Sequence, residues 1–266
     1  MAVVETDRHG QILVVRMNRP ERLNALSHEM RTRLAETWTE FRRDNQLEVA
    51  IFTGAGPAFC AGEDMKESLQ HGSPGGRRPA IEDPFMSGAL EKPVIAAVNG
   101  YAMGGGFMLV ERTDLRVAAR GAIFEVSEAK RWLLGGYNHG HVANLPYPIA
   151  MEMALGFRFT AERFYDIGFL NRLVDADQLM PEALKMAEHL LTLPPASRVN
   201  TVHMMRQMRP EPSGSLKALA AKLHDHGDKS DLMESRAAFS EKRKPNFKGW
   251  LNPEDRYRLP ELEEGA

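Results

Sequence analysis

Two apolar runs of strand length, each ending at once in a glycine-bearing turn, constrain the fold more than any other feature of this sequence. Val49-Ala-Ile-Phe-Thr53 is closed by Gly54-Ala-Gly56, and Pro93-Val-Ile-Ala-Ala-Val98 is closed by Asn99-Gly100. Short continuous apolar runs bounded by turn residues read as buried strands. Gln11–Met17, just after Gly10, reads as an earlier strand broken by Arg19-Pro20, and Leu115–Ala119 as a later one. Helical signals fall between them. Met30, Leu34, Trp38 and Phe41 recur at helical spacing after Ser27, a suitable N-cap, and Gly104-Gly105-Gly106 opens a helix through Val110. Strands alternating with helices predict an α/β architecture with covered sheet faces.

The segment from Lys66 to Arg78 holds Gly72, Ser73, Pro74, Gly75 and Gly76 and reads as a loop or as a substrate lid. From about residue 147 the pattern turns helical. Thr160 is placed to cap a helix ending near Gly168, Pro181 suits a first helical position, and Leu232 to Lys248 is a last amphipathic, basic segment. The tail from Asn252 is polar and reads as a surface segment.

The chain has 266 residues, enough for a well-buried domain and too few for two full-sized enzymatic ones. Its 34 basic and 36 acidic side chains give a formal net charge of −2, which offers no footprint for nucleic acid or a polybasic membrane anchor. No apolar run reaches membrane-spanning length, and no cationic region precedes an apolar stretch near Met1, so a cytoplasmic protein is expected. A single cysteine, Cys60, excludes an internal disulfide and reads as a packing residue.

Chemistry concentrates in two glycine-rich turns, Phe59-Cys60-Ala61-Gly62-Glu63-Asp64 and Asn99-Gly100-Tyr101-Ala102-Met103-Gly104-Gly105-Gly106. Glycine allows close backbone approach, and amides at a helix start lack intrahelical acceptors. Two such amides aimed at one point make an oxyanion hole, whose individual donors are typically worth about 3–4 kcal/mol in the transition state. The same glycines also suit a tight strand-to-helix connection. The dinucleotide spacing and the Gly-Lys-Ser/Thr ending of phosphate loops are both absent.

Taken together, these segments resemble the crotonase (enoyl-CoA hydratase/isomerase) superfamily along nearly the whole chain. Asn18-Arg19-Pro20-Glu21-Arg22-Leu23-Asn24-Ala25-Leu26 is similar to the family's Asn-Arg-Pro-x-x-x-Asn-Ala-Leu segment, and Phe59 to Met65 to its Phe-x-Ala-Gly-x-Asp motif. Lys92 through Gly106 resembles its most specific stretch; Ala150–Glu152, Gly168–Val174 and Phe239–Arg243 resemble later ones. The resemblance implies an α/β spiral of ββα units over residues 1–200 and a C-terminal helical trimerisation region over 201–266, with trimers often paired into hexamers. It implies a coenzyme A thioester as substrate, no separate cofactor and no metal. The oxyanion donors would be the amides of Glu63 and Gly105. Ala25 and Ala61, with Gly62 and Asp64 beside them, would lie along the bound coenzyme A, and Phe239 and Lys242 match positions that help cover it; a solvated face is the other reading of Lys242. Because only the Glu63 amide is needed, its carboxylate has to point away from the developing enolate.

The sequence departs from the two-carboxylate hydratases at Met108, where they carry the first Glu. Glu128 matches the second and would be the remaining acid/base. Such a single-carboxylate pattern suits double-bond isomerisation, and hydroxycinnamoyl-CoA hydratase-lyases share it, so hydration stays open. Glu111, on a neighbouring face of the helix that carries Met108, is a candidate for the missing role or a structural ion pair. Glu125 and Glu128 would face opposite sides if both lay in one strand. Between Leu134 and His141 the chain carries Tyr137, His139 and His141 where relatives have a Gly-rich turn leading to Thr or Ser and Arg. A histidine there suits a second acid/base or a polar wall, and Trp132 and Tyr137 suit an acyl-pocket lining or the core. Two alternatives follow: carbon–carbon hydrolysis or retro-aldol cleavage using His139 or His141, and a non-catalytic acyl-CoA-binding paralogue.

Overall fold

The computed structural model describes residues 2–71, 82–131, 134–137 and 140–262. In chain order the elements are β1 (Val4–His9), β2 (Ile12–Met17), α1 (His28–Arg43), β3 (Val49–Gly54), β4 (Ala58–Cys60) and α2 (Met65–His71). Then come β5 (Val94–Val98), β6 (Tyr101–Met103), α3 (Gly105–Glu111), β7 (Leu115–Ala119), β8 (Ile123–Glu125), α4 (His141–Asn144) and α5 (Tyr147–Ala154). The last are β9 (Phe159–Thr160), α6 (Ala161–Asp166), β10 (Arg172–Val174), α7 (Leu179–Leu191), α8 (Pro195–Gln207), α9 (Gly214–His224) and α10 (Ser230–Ser240).

Among the described residues the strands form a six-stranded sheet, β1-β2-β3-β5-β7-β10, and a four-stranded one, β4-β6-β8-β9. Only the β1–β2 and β8–β9 pairings are antiparallel. The chain steps from large sheet to small sheet and then into a helix at β3-β4-α2 and again at β5-β6-α3. This repeated ββα step is the crotonase-type α/β spiral that the motifs imply.

Residues two apart share a face of a strand. Accordingly Ile12 and Val14, Val49 and Ile51, Ile95 and Ala97, and Val117 and Ala119 pack under Leu179, Ala183 and Ala187 of α7. Phe52, one step out of that alternation on β3, meets Trp38 of α1 edge-on at 5.2 Å, and Trp38 stacks on Phe85 at 4.9 Å. A second aromatic cluster joins Phe107 of α3 to Phe164 and Phe169 at 5.7 and 5.4 Å.

Several predicted elements keep their boundaries. Ser27 caps α1 by accepting from the Met30 amide, and Thr160 caps α6 by accepting from Arg163. Others shift. Pro181 is the third residue of α7 rather than the first, a position whose amide has no intrahelical acceptor anyway. The Leu232–Lys248 segment is helical only as far as Ser240. The expected loop from Lys66 starts as the helix α2, and its remainder, 72–78, lies outside the described residues.

Two compact units emerge: residues 1–125 with 158–209, and residues 126–157 with 210–266. The boundary drawn at residue 200 from the sequence falls inside α8. The whole of α8 belongs to the first unit because its arginines are anchored there. Arg198 pairs with Glu48, and Arg206 grips Asp114 through Nε at 2.8 Å and Nη2 at 2.7 Å.

Candidate active site

The first glycine-rich turn leaves the buried strand β4 and is fixed by the Asn18–Leu26 segment. Leu23 and Asn24 adopt left-handed backbone, at φ 50° and 57°. The buried Asn24 side chain donates from Nδ2 to the carbonyls of Ala55 and Ala58 at 2.9 and 2.7 Å and accepts from the Arg19 amide at 2.8 Å. Arg19 bridges Nη1 to the Ala25 carbonyl at 2.9 Å and Nη2 to Asp64 at 3.1 Å. Burial pushes the Asp64 carboxyl upward. The amides of Glu67 and Lys66, together with Arg19, outweigh that push and hold it below the usual carboxylate range. The motif positions Ala25, Ala61, Gly62 and Asp64 are thus tied into one backbone assembly, with the Ala61 amide donating to the Leu23 carbonyl at 2.9 Å.

The second turn seats directly on the first. A side chain at Gly106 would come within 2.2 Å of the Cys60 carbonyl, and one at Gly100 within 2.0 Å of the Pro57 carbonyl, so neither position admits anything larger than glycine. Gly62, at φ +85°, abuts the other turn; a Cβ there would lie 2.7 Å from the Met103 carbonyl and 3.3 Å from the Gly105 nitrogen. Asn99 closes the contact by donating to the carbonyls of Gly56 and Ala58 at 2.8 and 3.0 Å.

The orientation of the Glu63 amide follows from its bridge to Leu26. The Leu26 amide donates to the Gly62 carbonyl at 2.7 Å, and the Asp64 amide donates to the Leu26 carbonyl at 3.4 Å. In such a parallel bridge the residue between the two bonded groups turns its own N–H to the other side. Gly105 is the first residue of α3, so its amide has no acceptor within the helix. No acceptor among the described residues receives either N–H. The Glu63 carboxylate, half-buried, is felt at Arg31 of α1, whose guanidinium is lowered by burial and partly restored by Glu63, Cys60 and Glu67.

The other candidates are distributed as follows. Met108 is half-buried on α3. Glu111, the last residue of α3, is fully buried; its carbonyl accepts from Arg116 Nη2 at 2.9 Å and from Arg209 at 2.6 Å, and its charge supports the buried Arg116. Glu125 ends β8 and pairs with Arg158 at 2.7 Å, whereas Glu128 lies beyond the strand in a turn, so the strand-face argument separating them does not apply. The Glu128 carbonyl accepts from Arg131 at 2.8 Å, which sets this carboxylate at the start of the Ala129–Arg131 turn.

Glu128 lines a cleft of about 480 Å³ within the second unit, together with Leu134, Gly136 and Tyr137. The rest of its lining comes from Lys217, Ala220, Ala221, His224 and Asp225, at the end of α9. The sequence reading missed these residues; the spacing 217, 220, 221, 224 was the available signal. Phe239 is half-exposed on α10, with the Arg131 guanidinium 4.1 Å from its ring centre, and Ser235 donates to the Lys130 carbonyl at 3.0 Å. Both contacts fasten α10 to the turn behind Glu128. Lys242 lies just past α10, exposed, at φ 55°. Trp132 and His139 lie outside the described residues, and His141 begins α4.

The enoyl-CoA hydratase/isomerase family model matches residues 7–250, and the chain belongs to that family, as an enzyme of the crotonase type. It is 34% identical to an enoyl-CoA hydratase of Mycobacterium tuberculosis, EchA19, over 93% of this chain and 99% of the relative. It is 36% identical to the carnitinyl-CoA dehydratase of Escherichia coli K12, over 91% of this chain and 97% of the relative. Among solved structures, a carnitinyl-CoA hydratase from Mycobacterium avium superposes with a TM-score of 0.80 at 28% identity, covering 93% and 99% of the two chains.

Proposed function

We propose that this enzyme adds water reversibly across the α,β double bond of an enoyl-CoA thioester. The observation that carries the reading is the pair of amides, Glu63 and Gly105, on two turns whose backbones touch at Gly62. With the thioester oxygen between them, negative charge developing on that oxygen meets two donors that need no reorganisation. Glu128 is the proton-transfer group, giving a proton to the α-carbon in hydration and removing it in dehydration. The first carboxylate of the two-carboxylate hydratases is replaced by Met108, which donates and accepts nothing comparable. The hydratase and dehydratase names of the relatives favour water addition over double-bond migration.

The substrate is read as a coenzyme A thioester held along Ala25, Ala61, Gly62 and Asp64, and the working assembly as a trimer or a pair of trimers. Mass spectrometry of products from linear, cyclic and aromatic enoyl-CoAs tests the reaction. A gain of one water supports hydration, an unchanged mass with a moved double bond means isomerisation, and a split acyl chain means carbon–carbon cleavage. Absence of turnover across the panel would favour a binding protein. The variant Glu128→Gln is expected to lose roughly 10²–10⁴-fold in kcat while still binding acyl-CoA. Near-normal turnover in that variant would remove Glu128 from the mechanism.

A further inference from the structure

We propose that His224, on α9, is the second proton-transfer group of the reaction and serves as the base for the attacking water. The proposal rests on the reading of Glu128 as the proton donor to the α-carbon. Its observation is the cleft that both side chains line.

The helix presents one face to that cleft. Lys217, Ala220, Ala221 and His224 fall at i, i+3, i+4 and i+7, so they form a single stripe. The two alanines in the middle of the stripe leave room between the basic residues at its ends. Four groups in the lining besides Glu128 can bind or release a proton: Lys217, Tyr137, His224 and Asp225. A lysine ammonium only donates hydrogen bonds and has no lone pair to offer. A phenol oxygen is a far poorer proton acceptor than an imidazole nitrogen. Asp225 is exposed and ion-paired to Lys229 at 2.6 Å, and that hydrogen bond holds its carboxyl below the ordinary range, making it a weak base. An imidazole carries a ring nitrogen with a lone pair beside one that bears a proton, so it can take a proton from water and hand it on within one turnover.

An imidazole nitrogen of His224 takes a proton from water as the water oxygen bonds to the β-carbon. The π electrons of the double bond move onto the thioester, whose oxygen becomes an enolate. The carboxyl of Glu128 then gives its proton to the α-carbon, and the thioester carbonyl re-forms. The imidazolium returns its proton to the carboxylate directly or through solvent, so one water has been added and both groups are restored.

The two proton transfers are experimentally separable. Exchange of the α-hydrogens of a saturated acyl-CoA in deuterated water needs Glu128 and the enolate, but no attacking water. Hydration of the corresponding enoyl-CoA needs both groups. The full-length enzyme and its variants His224→Gln, His224→Asn and Glu128→Gln are compared for kcat, KM and exchange rate, after circular dichroism has confirmed folding. The expected result is a loss of about 10²-fold or more in hydration for both His224 variants, with KM and α-exchange within about threefold of the parent. Glu128→Gln is expected to lose both reactions. Hydration within about threefold of the parent in either folded His224 variant overturns the proposal. So does a loss of exchange in parallel with hydration, which would make His224 a structural support. Retention of both reactions in Glu128→Gln instead overturns the reading of Glu128 on which the proposal rests.

Discussion

Asn24 holds the first turn in shape. Its amide side chain and left-handed backbone replace what would otherwise be several unsatisfied groups between the Asn18–Leu26 segment and β4. Truncation to alanine removes the partner of the Ala55 carbonyl and of the Arg19 amide, while Ala58 keeps Asn99 at 3.0 Å. Unsatisfied buried groups cost about 1–3 kcal/mol each. Asn24→Ala is therefore expected to lower unfolding stability by about 2–4 kcal/mol, read from a urea melt. It should also depress turnover more than that loss predicts at substrate saturation, because the Gly62–Glu63 backbone loses its frame. Cys60 is the other informative residue here. Burial pushes its thiol from 9.0 up to about 12. Folding thus favours the protonated thiol: the unfolded chain releases this proton first, and stability falls as pH rises from about 9 towards 12. Below 9 the thiol is protonated in both states and pH has no effect through it. In the native enzyme, a thiol reagent at pH 8 is expected to leave Cys60 unmodified, with one equivalent reacting after unfolding in guanidinium. Rapid labelling of the folded protein would contradict the assignment.

At the scale of elements, α8 is held by charge more than by apolar packing. Met204 and Met205 on α8 and Met208 just past it are all more than half exposed, whereas Arg198 and Arg206 are anchored to Glu48 and Asp114. Arg206→Ala leaves Asp114, whose side chain is 16% exposed, with the Val94 amide at 2.8 Å but without its guanidinium, and is expected to destabilise the protein by about 1–3 kcal/mol. Hydrogen exchange should show the loss concentrated in Pro195–Gln207, with β3 and β5 still protected; uniform loss would mean that the clamp does not act locally. These elements also explain what the sequence made legible. β3, β5 and β7 are buried on both faces and read directly as apolar runs, and α1 and α6 announced themselves through Ser27 and Thr160. β1 escaped because five of its six residues are exposed, so no apolar alternation exists to detect. β4, β6 and β8 are three residues each, too short for any period, and they take their conformation from their neighbours in the small sheet. For the site, the two turns were readable because steric closeness demands glycine at Gly100 and Gly106. Arg31 near Glu63 and His224 in the cleft that Glu128 lines were not, since each depends on a helix face brought up by the fold.

At the scale of the whole molecule, several large apolar side chains lie in water. Leu251 and Tyr257 are 77% and 75% exposed, and Phe157, Leu155 and the α8 methionines exceed half. Among the described residues no helix is long and apolar enough to cross a membrane, so a bilayer-spanning helix does not account for them. With a formal net charge of only −2, long-range repulsion between copies of the chain is small. Self-association is the economical way to bury such area. On the trimer or pair of trimers proposed above, the enzyme is expected to elute with a mass three or six times that of the chain in size exclusion with light scattering. The double variant Met205→Glu/Met208→Glu discriminates the role of α8. Both side chains are more than 60% exposed in the isolated chain, so the change is nearly neutral for a monomer. Within an interface it buries two unpaired carboxylates and should shift the elution to a smaller species. An unchanged mass with unchanged stability would place α8 on the outside of the assembly and move the interface to the segment around Leu251 and Tyr257.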